Sequence, residues 1–107
     1  MKEFEELAEL IKRFADARNW EQFHNPKNLV MALTGESGEL AAEFQWLTLE
    51  QSEISQLSPA QLEAIRLEIA DVQIYLSRLA ARLEIDIPRA VKDKLQINDS
   101  RFPESRN

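Results

Sequence analysis

Four carboxylates in this chain are spaced as a cation site would need them. Glu36 and Glu39 form a Glu-x-x-Glu pair, and Glu68 and Asp71 form a Glu-x-x-Asp pair. Residues three apart on a helix share a face and can serve one ligand. On a wheel advancing about 100° per residue, Glu36, Glu39 and Glu43 fall within about 60° of one another. Leu29, Leu33, Leu40, Phe44 and Leu47 form an apolar stripe directly beside them. Glu68, Asp71 and Tyr75 repeat that layout beside Ile65, Val72, Leu76 and Leu79. If the two stripes pack antiparallel, the two acid pairs face each other. Acids crowded at the edge of a core repel one another and resist desolvation. A hard divalent cation resolves that conflict. Magnesium, with manganese as its substitute, takes oxygen ligands and joins a few carboxylates to substrate phosphates. Either pair alone is also an ordinary pattern for a solvated helix face. The coincidence of two, each against a leucine stripe, is what points to a site.

These pairs need helices to hold them, and the sequence predicts four. Phe4, Leu7, Ile11 and Phe14 recur at helical spacing and mark a buried stripe on a first helix from about Lys2 to Arg18. Asn19 to Asn25 is a connector. Asn25-Pro26 is a helix start, with Asn as cap and Pro in the first turn. The second helix then runs to about Trp46 or Thr48. Leu49 to Leu57 reads as a polar loop. Ser58-Pro59-Ala60-Gln61 opens the third helix with a capping box, and this helix extends to about Leu83. Asp86-Ile87-Pro88 starts a fourth helix that ends near Asn98. The expected organisation is one all-α domain over 1–99 and a loose tail over 100–107.

The 107 residues suffice for one domain, and Glu, Leu, Ala, Gln and Arg, all good helix formers, dominate. The net charge of -6 comes without a basic patch, which argues against nucleic acid or an anionic membrane as partner. The absence of cysteine removes disulfides, thiolate metal sites and cysteine nucleophiles. Neither a signal peptide nor a spanning apolar run is evident, so a cytoplasmic location is expected. The third helix carries a second apolar strip, Leu67, Ala70, Ile74 and Ala81. A helix greasy on two sides is buried on two sides, which predicts at least a homodimer.

Gly35-Glu36-Ser37-Gly38-Glu39-Leu40 followed by Glu68-Ile69-Ala70-Asp71-Val72 resembles the signature of the MazG-like all-α nucleoside triphosphate pyrophosphohydrolases. The likeness is closest to the dCTP pyrophosphatase branch. It extends through Ala17 to His24, Pro26 to Leu29, Glu43 to Trp46, Asp71 to Leu76, Asp86 to Pro88, Lys94 to Asn98 and Arg101 to Pro103. The resemblance implies a four-helix, bundle-like protomer assembling into dimers or tetramers. It implies hydrolysis of a (deoxy)nucleoside triphosphate to the monophosphate and pyrophosphate, as a house-cleaning activity on the nucleotide pool. By the same resemblance Glu36, Glu39, Glu68 and Asp71 ligate magnesium. Lys94, Asn98 and Arg101 lie near the phosphates. Trp20, Trp46 and Tyr75 surround the base or sugar, with His24 and Asn28 nearby. Two positions depart from the pattern: Leu40 stands where some relatives carry a second acid, and Phe102 where close relatives often carry Tyr.

The residues fit this chemistry. A protein of charge -6 holds a polyphosphate only through cations, and magnesium on the acids would supply them. Ser37 has no base beside it, so no covalent intermediate is expected. Other readings stay open for the remaining groups. The two Trp and Tyr75 also suit packing, His24 also suits a hydrogen-bonded connector, and Gly35 and Gly38 also suit close helix packing. A non-catalytic helical interaction module is the alternative for the whole chain. A di-iron bundle is disfavoured, because such sites need Glu-x-x-His pairs and His24 lies outside both acid motifs.

Overall fold

Three of the four α-helices begin where a side-chain cap stands. The computed structural model describes residues 1–104 and contains helices α1 (Lys2–Ala17), α2 (Pro26–Ala42), α3 (Pro59–Arg82) and α4 (Ile87–Arg101), with a short 3-10 turn at Trp20–Phe23. The Asn25 side chain accepts from the Asn28 amide at 2.9 Å. Ser58 and Gln61 close a reciprocal capping box, with bonds of 3.1 and 2.8 Å. Asp86 accepts from the Arg89 amide at 3.0 Å. A proline occupies the first turn in all three cases, where its missing N–H costs nothing.

Stops are equally local. After α1, Asn19 takes a left-handed conformation with φ of 55°, which its short polar side chain tolerates. After α3, Glu84 does the same at φ 56°. There Ile85 N–H donates to the Ala80 carbonyl and Glu84 N–H to that of Ala81, the pair of bonds that makes a Schellman stop. Helix α2 ends at Ala42, short of the expected Trp46 or Thr48. Its last turn tightens instead: Glu43, Phe44 and Leu47 all donate to carbonyls three residues back, and the chain unwinds through turns. Helix α4 reaches Arg101, so Ser100 and Arg101 of the expected tail are helical, while 105–107 lie outside the described residues.

Helices α2 and α3 form the main packing pair. Their direction follows from which residues meet. Glu36 and Glu39 approach Glu68, whereas the segment just before α2 meets Arg78 near the other end of α3. The two helices are therefore antiparallel. Leu29 and Ile65 are buried on this pair. Helix α1 packs on α3, and the small residues Ala15 of α1 and Ser77 and Ala80 of α3 are buried. The Phe4–Phe14 stripe of α1 is less covered than expected, with Leu7 and Phe14 exposed, because among the described residues α1 packs mainly on α3 and the connector. Helix α4 touches the others only sparsely.

The single chain leaves an unusually large surface uncovered. Its accessible surface is 8640 Å², against about 6,100 Å² for a folded monomer of its mass. Its radius of gyration is 16.9 Å, against about 13 Å for a compact chain of this length. Leu67 and Ile74 of the second strip on α3 are exposed, as are Val91, Leu95 and Ile97 on α4. Among the described residues there is no strand, and no helix is long and apolar enough to cross a membrane.

Candidate active site

The acid edges of α2 and α3 converge. One carboxylate oxygen from each of Glu36, Glu39 and Glu68 lies within 4.8 Å of the others. Glu36 and Glu68 are half-buried and Glu39 is exposed. The Oε2 atoms of Glu36 and Glu68 are buried with no hydrogen-bond partner. Carboxylate oxygens in that condition are costly unless a cation or donor meets them. Desolvation, then the neighbouring charges of Glu39, Asp71 and Glu68, pushes the Glu36 carboxyl above its ordinary value. Glu68 is pushed up by desolvation and by Glu39, Asp71 and Glu43. Asp71 stands just outside the tight cluster yet close enough to act on both by charge. The donor set is all oxygen and anionic, which suits a hard divalent ion.

A row of rings flanks the acids along α3. Phe14 and Trp20 meet edge to face at 5.5 Å, Trp20 and His24 lie 5.9 Å apart, and His24 and Tyr75 6.4 Å apart. Tyr75 sits one helical turn beyond Asp71, so the row runs up to the acidic cluster. The connector bearing Trp20 and His24 is tied down at both ends. The Asn28 side chain donates to the Phe23 carbonyl at 3.2 Å, and Arg78 and Arg82 of α3 hold Glu21.

Of the residues picked from sequence, the fold gathers Glu36, Glu39 and Glu68 with Asp71 alongside, and separately Trp20, His24 and Tyr75. Asn28 lies at the start of α2 with its amide engaged by the connector. Trp46 stands apart at 87% exposure, a consequence of the early end of α2. Lys94, Asn98 and Arg101 lie on α4, which makes only sparse contact with the other helices. The residues that sequence reasoning missed are Glu21, Arg78 and Arg82. A signal existed for the two arginines: continued from Glu68 at about 100° per residue, both fall on the same edge of α3 as Asp71. Glu21 sits in an irregular connector where no periodicity could mark it.

No model of a known protein family matches the sequence. Individual proteins do. The fold superposes on a pyrophosphatase from Archaeoglobus fulgidus with a TM-score of 0.85 and 37% identity, covering 94% of this chain and 92% of that one. The chain belongs to the MazG-like all-α pyrophosphohydrolases. Within that family it is 48% identical over 99 residues to dCTP pyrophosphatase 1 of Homo sapiens and 44% identical to that of Mus musculus. Each match takes in 92% of this chain and 58% of the mammalian protein, so the chain spans less than two thirds of the length of these relatives.

Proposed function

We propose that this chain is a magnesium-dependent hydrolase of (deoxy)nucleoside triphosphates, with dCTP or a related deoxynucleotide as substrate, releasing the monophosphate and pyrophosphate. The observation that carries the reading is the cluster of Glu36, Glu39 and Glu68 with its two buried, unpartnered oxygens. A purely structural role for these helices leaves those oxygens unsatisfied. Kinship with proteins named dCTP pyrophosphatase supplies the substrate class.

Glu36, Glu39 and Glu68, with Asp71 beside them, would hold the ion. When bound, magnesium neutralises part of the polyphosphate charge and withdraws electrons from phosphoryl oxygens. The chain's own groups do the rest. A carboxylate of the cluster, with Glu39 the most accessible, orients a water and accepts its proton as the water oxygen bonds to the α-phosphorus. The bond from that phosphorus to the bridging oxygen breaks, and pyrophosphate leaves with the electron pair. Trp20 and Tyr75 flank the nucleoside, with His24 between them. Trp46, exposed in the single chain, would meet the base within an assembly. Lys94, Asn98 and Arg101 would meet the phosphates from α4 of a second copy of the chain. The large exposed apolar area supports a homodimer or homotetramer. Clearing surplus or modified nucleotides in the cytoplasm is the role that fits this activity.

The deciding experiment incubates the protein and magnesium with a panel of standard and modified nucleotides and measures pyrophosphate and orthophosphate separately. Pyrophosphate release from at least one triphosphate is expected, abolished by chelator. Orthophosphate as the sole product, or no turnover across the panel, overturns the proposal.

A further inference from the structure

The most buried charge in the described part of the molecule lies outside the acidic cluster. Arg78 has a side chain only 3% exposed. A guanidinium taken out of water is costly unless its donors are matched. Its Nη2 donates to Glu21 Oε2 at 2.6 Å, and its Nε donates to His24 Nδ1 at 3.4 Å. Arg82, one turn on, binds the other oxygen of Glu21. Both Arg78 partners lie in the connector, more than fifty positions away in sequence. That connector buries no residue of its own 3-10 turn and follows a left-handed Asn19. Beyond these bonds the connector is held by the Asn28 bond to the Phe23 carbonyl and by ring contacts of Trp20 with Phe14 and of His24 with Tyr75, and Arg78 is its only fully buried charged anchor among the described residues.

The bond to His24 also has a chemical consequence. Guanidinium nitrogens donate and never accept. The Nδ1 atom that receives this bond must therefore carry no proton, and the proton of a neutral ring sits on Nε2. We propose that Arg78 is a positioning residue: by bonding Glu21 and His24 together it clamps the connector onto α3 and fixes the His24 imidazole as the Nε2–H tautomer, a donor for an acceptor atom of the nucleoside beside Trp20 and Tyr75. The nucleoside contact rests on the proposed function; the clamp and the tautomer do not. Burial, then the charge of Arg78, holds the imidazole below its ordinary value, with Arg82 acting the same way and Glu21 opposing.

The chain has a single histidine, so its ring can be read without ambiguity. Nitrogen-15 NMR of the full chain, free of metal and nucleotide, should show an unprotonated Nδ1 and a protonated Nε2. In Arg78→Gln the tautomers should mix and the ring should titrate at higher pH. The KM for dCTP should rise about tenfold, the scale of a lost charged hydrogen bond, with kcat changed much less. Arg78→Lys keeps the charge without the fork and should recover part of the KM but not the tautomer. Should the glutamine variant fail to fold, Glu21→Gln serves instead: it should leave Arg78 without its carboxylate, lower the His24 titration and raise KM. An unchanged tautomer and titration in a folded variant overturns the clamp even if dCTP is hydrolysed. A tautomer that responds as described upholds the clamp even if the protein hydrolyses no nucleotide.

Discussion

Replacing Glu36 by Gln tests whether the acids exist to hold a cation. The carboxylate oxygens of Glu36, Glu39 and Glu68 lie within 4.8 Å of one another. Two ionised carboxylates at about that spacing repel by about 1 kcal/mol even under the full screening of bulk water. Glu36 faces two such neighbours, so at pH 8 and without metal its neutralisation should remove about 2 kcal/mol of strain. For a domain of this size that is an increase of about 8 °C in the thermal midpoint. Magnesium at about 1,000 times its Kd should stabilise the wild type by about 4 kcal/mol, or about 16 °C. The variant has lost a ligand and should gain little. The order of stability thus inverts: the variant melts higher in chelator and the wild type melts higher in magnesium. Thermal scans by circular dichroism, at one protein concentration, read this directly. A variant no more stable than wild type in chelator, with magnesium raising both alike, would refute the reasoning.

Further expectations follow from the same geometry. Glu39→Gln and Asp71→Asn should each lower pyrophosphate release by at least about a hundredfold with unchanged far-ultraviolet circular dichroism; retained activity in both would reject the site. Glu36 and Glu68 titrate above their ordinary value in the fold, so their contribution to metal-free stability is fully present below about pH 4.5 and is lost as pH rises through the raised values. The gap in thermal midpoint between Glu36→Gln and wild type should accordingly be near zero at pH 4 and open as pH rises to 8, and magnesium binding should weaken in acid. Ile74→Glu, on the exposed strip of α3, should reduce the sedimentation coefficient toward that of a single chain; a protein already monomeric at working concentration would remove the case for assembly. Ser58→Ala opens the capping box of α3 and should cost about 1 kcal/mol, or about 4 °C.

Much of this molecule was legible before any coordinates. The starts of α2, α3 and α4 were written in Asn25-Pro26, Ser58-Pro59 and Asp86-Ile87-Pro88, because a cap acts over three residues. The phase of the acids against the leucine stripes was readable for the same reason. The end of α2 was not. Glu43-Phe44-Gln45-Trp46 contains no glycine or proline to stop a helix, and apolar periodicity continues past the point where the backbone unwinds. The buried stripe expected on α1 came out half-covered, since periodicity reports which face is apolar and not whether a partner covers it.

By itself the sequence determined that there are four helices, the caps that start three of them and the edge on which each acid lies, all consequences of forces acting within a turn or two. Only the tertiary structure decided which groups meet. It brought Glu36, Glu39 and Glu68 to one point with Asp71 slightly aside, joined Arg78 to Glu21 across 57 positions, left Trp46 in the open and held α4 away from the acids. Those outcomes depend on how far apart two helix axes pack and where an irregular connector crosses them. No local spacing rule carries that information, because it resides in contacts between segments distant along the chain.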